Sequence, residues 1–217
     1  MGKIKNPMQI HWTNNVGGVV GFHAYGNHYW RSNAQSVANP NTGAQKNVRG
    51  KFTIITKLIS SFVPAYKVGY KEYAQGRSPR AEFYHQIDAN GAVTGNYEDG
   101  YTIDYEKVLI SRGSLLPTFG MTASVLGAQH KVSFSWTDNS GMADAESTDS
   151  LCICLLNQAL GICVFVEAAG IRSAESAQVT YPTSWAGDTV QVFAFWRKTG
   201  AKSYNSESSR VTFFVAE

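Results

Sequence analysis

The hydrophobic positions change period near residue 100. Upstream, apolar or small residues stand at Ala44, Val48, Phe52, Ile55, Ile59, Phe62 and Tyr66. Steps of four and three put them on one face of a helix. Thr42 and Gln45 fit a capping box at its start, and Pro64 should end or kink it. Lys46, Arg49, Lys51 and Lys57 occupy its other sides. A second short helix is expected over 65–75. Ser78-Pro79 reads as the N-cap and first residue of a third helix, which runs to Ala89 before Asn90-Gly91 turns the chain.

Ahead of the helices, residues 16–32 predict a β-hairpin. Gly26-Asn27 can supply the positive φ angles of a two-residue turn. The pleat then puts Phe22, Ala24, Tyr29 and Arg31 on one face and His23, Tyr25, His28 and Trp30 on the other. Downstream of residue 100 the period becomes two. Residues 102–111 read as a strand and 112–120 as a linker. Short runs follow at 131–136, 150–156, 162–167, 177–181, 189–196 and 210–215, separated by turn-forming residues. Val190, Val192, Ala194 and Trp196 alternate with Gln191, Phe193 and Phe195 as a core-facing strand would. The expected fold is α+β and mainly β. A hairpin and helical region, 1–114, precedes a seven-stranded immunoglobulin-like β-sandwich, 115–217. Strand spacing and the early-strand Trp136 make a fibronectin III-like module the nearest analogy.

Charge adds a polarity that the pattern does not show. Eleven of the first eighty residues are Lys or Arg and only Glu72 is acidic; from residue 81 the counts are 8 basic and 15 acidic. The net charge of +3 conceals this. A basic end of this kind suits an acidic partner, either nucleic acid or an acidic protein surface. No run of about 18 apolar residues is present, so no membrane span is expected. The Met-Gly-Lys-Ile-Lys-Asn start lacks the apolar region of a signal peptide, and Asn6 stands where myristoylation wants Ser or Thr. The protein is expected in a cytoplasm or a virion.

Candidate chemistry changes the picture little. Cys152, Cys154 and Cys163 lack the partners of a Zn site. Without a signal peptide, buried free thiols are expected, and the pairing of Cys154 with Cys163 stays open. The His23, Tyr25, His28 and Trp30 face would suit stacking on bases or sugars; the ordinary alternative is packing on the amphipathic helix. Lys46, Arg49 and Lys57 are candidate partner contacts, against the common fate of a solvated face. Residues 138–146 carry acids without the spacing of a calcium loop. Asp104 and Glu106, two apart on the predicted strand, would share a face as a carboxylate pair does. No nucleophile elbow, zinc-protease helix or phosphate loop occurs. No catalytic residue, metal or cofactor is expected.

Several segments resemble a family of uncharacterised bacterial proteins found mainly in Bacteroidota. They are Gly2-Lys3-Ile4-Lys5-Asn6, Val16-Gly17-Gly18-Val19-Val20-Gly21, Asn39-Pro40-Asn41-Thr42-Gly43-Ala44-Gln45 with Arg49 and Phe52, Thr102-Ile103-Asp104-Tyr105, Val108-Leu109-Ile110-Ser111-Arg112-Gly113 and Phe134-Ser135-Trp136-Thr137-Asp138-Asn139. Asn15 departs from the Lys common at that place. The glycine-rich start and the segment from Asn39 to Gln45 are also similar to pieces of phage structural proteins. The resemblance implies no activity. The expectation is a structural or assembly protein, in a virion or other large particle, with protein neighbours and self-association. The alternative is a soluble module that binds nucleic acid or glycan.

Overall fold

The structure is a computed structural model, and it describes residues 2–3, 14–16, 18–24, 27–33, 39–73, 76–198 and 204–215. The chain forms two compact units, Met1–Thr42 and Gly43–Glu217.

The first unit holds an antiparallel sheet of β1 (Gly2–Lys3), β2 (Asn14–Val16), β3 (Val19–Ala24) and β4 (Asn27–Ser32), in the order β1-β4-β3-β2. Ala24 pairs with Asn27, so Asn27 belongs to a strand and not to the turn predicted at Gly26-Asn27. This register sets Phe22 opposite Tyr29, with the rings stacked at 5.5 Å. The predicted register would have set Phe22 opposite Arg31. Aromatic pairing across the strands explains the shift. The faces keep their residues, because the alternation is the same in either register. Tyr25 lies outside the described residues.

The second unit opens with α1 (Gly43–Ser61), which begins directly after Thr42 as the capping pattern predicts. The helix breaks at Phe62, and α2 (Val63–Gly69) carries Pro64 in its first turn, where a missing N–H is harmless. Next comes α3 (Pro79–Ala89), where Ser78 Oγ accepts from Ala81 N at 3.2 Å. Gly91 then turns the chain at φ 63°. A hairpin of β5 (Val93–Asn96) and β6 (Gly100–Ile103) follows. The strand expected over 102–111 stops at Ile103. Asp104 accepts from Glu106 N at 3.1 Å and starts a 3-10 turn at Tyr105–Lys107.

Two antiparallel sheets complete the unit. One contains β7 (Thr122–Leu126), β8 (Lys131–Ser135) and β11 (Ser176–Thr180), in the order β11-β8-β7. The other contains β9 (Ser150–Asn157), β10 (Ile162–Ile171), β12 (Thr189–Lys198), β13 (Tyr204–Asn205) and β14 (Ser209–Val215). Its order is β10-β9-β12-β13, with β14 also paired to β12.

Strands β9 and β12 are buried along almost their whole length, and alternation divides their side chains between two cores. Ile153, Leu155, Val192 and Trp196 meet Val132, Phe134 and Val179 of the smaller sheet. Cys152, Cys154, Leu156, Phe193 and Phe195 meet Ile55, Ile59, Phe62 and Phe83 of the helices. The helices therefore form a third layer on the larger sheet. A division into 1–114 and 115–217 does not follow this packing, because the helical core is shared with β9 and β12. The change of period near residue 100 marks a change of element type inside one unit.

The segment from Leu109 to Leu115 stitches the layers together. Ser208 Oγ accepts from Ile110 N at 2.8 Å and from Ser111 N at 3.2 Å. Ser111 Oγ lies 2.8 Å from Ser206 O and 3.2 Å from Gly69 O. Asn205 Nδ2 donates to Val68 O at 2.9 Å and Gly69 O at 3.1 Å. Such close backbone approach explains the glycines at 69 and 113. A Cβ on Gly69 would lie 2.2 Å from Ile110 O, and one on Gly113 would lie 2.0 Å from Asn205 O.

Candidate interaction surfaces

Lys46, Arg49, Thr53 and Lys57 recur at steps of three and four and share one side of α1. The Lys46 ammonium stands 5.2 Å from the centre of the Tyr97 ring. Arg49 and Lys57 are exposed. Lys51 is on another side, paired with Asp88 at 2.6 Å. Of the basic stretch, then, Lys46, Arg49 and Lys57 form a stripe on a different side from Lys51.

The apolar stripe departs from expectation at its N-terminal end. Ile55, Ile59 and Phe62 are buried, but Val48 is 71% exposed and Phe52 is 55% exposed. The helical core begins at Ile55. Phe52 touches only the rim of that core, with its ring 5.5 Å from Tyr84. The 3.6-residue period predicts a stripe and says nothing about where its cover ends.

On the N-terminal sheet His23, His28 and Trp30 share a face, as the pleat predicts. The two imidazoles are directly opposite, with centroids 4.7 Å apart. Trp30 pairs with Gly21 and is 39% exposed. Among the described residues no group of three or more His, Cys, Asp or Glu side chains is placed to hold a metal. None of the described helices is long and apolar enough to cross a membrane.

Asp104 and Glu106 do not form the carboxylate pair that a continuous strand would have made. The 3-10 turn sends Asp104 to Lys107 at 3.1 Å and Glu106 to Arg210 at 2.9 Å. The hydrogen bond from Lys107 holds the Asp104 carboxyl below the usual carboxylate range.

All three thiols are free. Cys154 and Cys163 lie diagonally on neighbouring strands, since Cys154 pairs with Phe165 and Cys163 with Leu156. Burial pushes Cys152 up to about 12 and raises Cys154 as well. A hydrogen bond with Cys154 lowers Cys163. A raised pKa keeps a thiol protonated, and the thiolate is the reactive form. Alkylation of the native protein at mildly alkaline pH should therefore modify Cys163 alone, with Cys152 and Cys154 reacting only after unfolding. Peptide mass mapping would read this; native labelling of Cys152 would contradict the buried placement.

A pocket that the sequence did not suggest opens between residues 116–119 and 137–142. It encloses about 330 Å³ and is lined by Leu116, Pro117, Phe119, Thr137, Asn139 and Met142 among others. Phe119 is 65% exposed and Met142 is 63% exposed at its mouth. Arg172 ties two of the lining residues together from inside the core. The fully buried guanidinium donates to Asn139 Oδ1 and to Leu116 O, the latter at 3.2 Å. It pairs with Asp149 at 3.1 Å and lies 4.5 Å from the centre of the Trp196 ring. Burial lowers the pKa of Arg172, and the Asp149 carboxylate opposes that shift.

An acidic residue, Asp138, is part of the lining of this pocket, and further acids follow in the same loop. Asp138 stands at the opening, its oxygens accepting from Ser140 N at 2.9 Å and Ser140 Oγ at 3.0 Å. Glu175 Oε1 accepts from Asp138 N at 3.2 Å. Asp144 is exposed in the same tight loop, where Gly141 N donates to Ala145 O. Glu146 is paired with Lys198 at 2.6 Å. Residues 137–149 contain no Lys or Arg. In the sequence, Met142 amid acids and Phe119 in a linker were the only signals of this site; nothing marked Arg172.

A second cleft, of about 490 Å³, lies beside Tyr73, Arg112, Tyr204 and Glu207. Its cation is already engaged, since Arg112 donates to Gln86 Oε1 at 2.6 Å and lies over the Tyr73 ring at 5.2 Å.

The sequence matches the family described as a family of unknown function, DUF6266, over residues 10–208. The chain belongs to this family. The match takes in β2 to β4 of the N-terminal sheet, the helical layer and both larger sheets except β14, so the DUF6266 pattern reaches into both compact units. No curated protein and no solved structure matches the chain.

Proposed function

We propose that this DUF6266 protein is a non-enzymatic structural protein that works as a subunit of a larger assembly. A virion or similar particle is the concrete version, with the protein residing there or in the cytoplasm. The observation that carries this reading is the N-terminal half of α1. There Val48 and Phe52 continue the stripe of Ile55 and Ile59 out into solvent, with Lys46, Arg49 and Lys57 on other sides of the same helix. Apolar surface rimmed by charge is characteristic of a protein contact. The resemblance of the glycine-rich start and of residues 39–45 to pieces of phage structural proteins supports the particle version.

The C-terminal sheets fit a scaffold role as a fibronectin III-like sandwich. Leaving aside the two-residue β13, the first, second and fifth strands after residue 115 share one sheet, and the third, fourth, sixth and seventh share the other. That partition supports the fibronectin III-like reading.

Light scattering on the full chain tests the assembly role, together with imaging of the protein purified from its native source. Concentration-dependent growth in mass, or recovery in particles, is expected. A strict monomer at all concentrations that is also absent from any particle would sink it. Exposed Trp30 beside His23 and His28 favours the second reading, a nucleic-acid or glycan module. In that case retention on nucleic acid would fall steeply with salt as phosphate contacts are lost.

A further inference from the structure

Strand β10 ends the larger sheet, and among the described residues β9 is its one partner strand. The direction of its backbone groups follows from two bonds at the ends of β9. Asn157 O accepts from Gly161 N at 3.0 Å, and Asp149 O accepts from Arg172 N at 3.0 Å. Both oxygens face β10, and alternation turns Ile153 and Leu155 the same way. Their partners Val166 and Val164 therefore bond inward, as does Ile162 opposite Asn157. Cys163 and Phe165 turn their N–H and C=O groups outward, and no described residue bonds those groups.

A free edge is normally blunted by Lys, by Pro or by shortness. Residues 162–166 read Ile-Cys-Val-Phe-Val, with neither charge nor proline. Cys163, Val164, Phe165 and Val166 are only half-buried, and Leu160, Ile162 and Ile171 are exposed at the two ends of the strand. The irregularity between Val166 and Gly170 limits the regular edge to these five residues. At the edge of the smaller sheet, β11 instead exposes polar Ser176, Gln178 and Thr180.

We propose that β10 of one copy pairs antiparallel with β10 of a second copy about a twofold axis at Val164, which joins the two larger sheets into one. This rests on the assembly reading above and names its partner and surface. A second copy fits because the segment is its own complement. Ile162 meets the partner's Val166, Cys163 meets the partner's Phe165, and Val164 meets the partner's Val164. Every opposed pair is apolar, and no like charges face each other. The outward groups of Cys163 exchange hydrogen bonds with those of the partner's Phe165. The contact is isologous, so it uses up both edges and closes. Growth beyond a dimer then needs another surface.

The test puts charge on the axis of the full-length protein. Val164→Lys and Val164→Glu each set like charges against each other, and sedimentation should show self-association of either variant weakened by ~100-fold. An equimolar mixture should associate again, because opposite charges then meet. Val164 packs partly on the smaller sheet, so circular dichroism and melting temperature check that each variant folds. Ile162→Lys, at an exposed position, should also weaken association. Hydrogen exchange on the parent needs no variant. The amides of Cys163 and Phe165 should be protected in concentrated protein and exchange fast on dilution, while that of Val164 stays protected in both. If a Val164 variant fails to fold, Ile162→Lys and hydrogen exchange decide. A parent that associates with the Cys163 and Phe165 amides unprotected, or that associates undiminished in the variants, would overturn the β10 contact while leaving an assembly role standing. Loss in both folded Val164 variants with no recovery in the mixture would also overturn it. A parent that stays monomeric at every concentration would overturn it as well, and imaging of native particles would then decide the assembly reading by itself.

Discussion

Replacing Arg172 by methionine should destabilise the 43–217 unit by about 3–5 kcal/mol, the usual result of stripping one partner from a buried ion pair. The Asp149 side chain is 1% exposed, and its Oδ2 accepts from Arg172 Nε at 3.1 Å. Without the guanidinium, that carboxylate keeps only the 2.9 Å bond from Glu146 N. It must then take up a proton or draw water into the core. Leu116 O and Asn139 Oδ1 lose their donor at the same time, so the pocket wall should loosen. Urea denaturation would measure the loss. Removing the charge on both sides, as Arg172→Met/Asp149→Asn, should recover part of it. A single-variant loss below about 1 kcal/mol would mean that Arg172 is not the buried tie the geometry indicates.

Gly113→Ala should be comparably damaging, at about 3 kcal/mol. Its new Cβ would meet Asn205 O at 2.0 Å. That oxygen cannot move freely, because it accepts from Leu115 N and its residue is bound to Val68 and Gly69. Gly69→Ala should behave alike, since Ile110 O would be 2.2 Å away. Gly43→Ala is the control: nothing lies within 4 Å of a Cβ there, and the residue opens a helix. It should be neutral or slightly stabilising. Thermal melts of the three variants would show the contrast, and equal effects at 43 and 113 would refute the close-approach account.

Elements whose information is local were legible in the sequence. Ser78-Pro79 announced α3, and Asn90-Gly91 announced its end. The alternation in 189–196 announced β12. Features set by distant partners were hidden. Phe193 and Phe195 read as the outer face of a strand, and only the helical layer shows that they are core. The strand Thr122–Leu126 was missed because Ala123 and Val125 are small and Thr122 and Ser124 on its other side are polar. The basic stripe at Lys46, Arg49 and Lys57 was visible as composition. The pocket at 116–142 was not, because Phe119 and Met142 are separated along the chain and its walls at Leu116 and Asn139 are tied by Arg172, a lone basic residue with no local signature.

One sheet serving two cores governs how the molecule can come apart. Detaching the helices would bare Leu156, Phe193 and Phe195, at roughly 1.5–3 kcal/mol for each side chain. Detaching the small sheet would bare the opposite side of the same strands. Neither layer can melt first at low cost, so the 43–217 unit should unfold in one cooperative step. For the same reason a gene cut at residue 115 would not release a tidy sandwich. It would release a protein with one apolar sheet face turned to water, and that fragment should aggregate where a piece cut at residue 43 stays soluble.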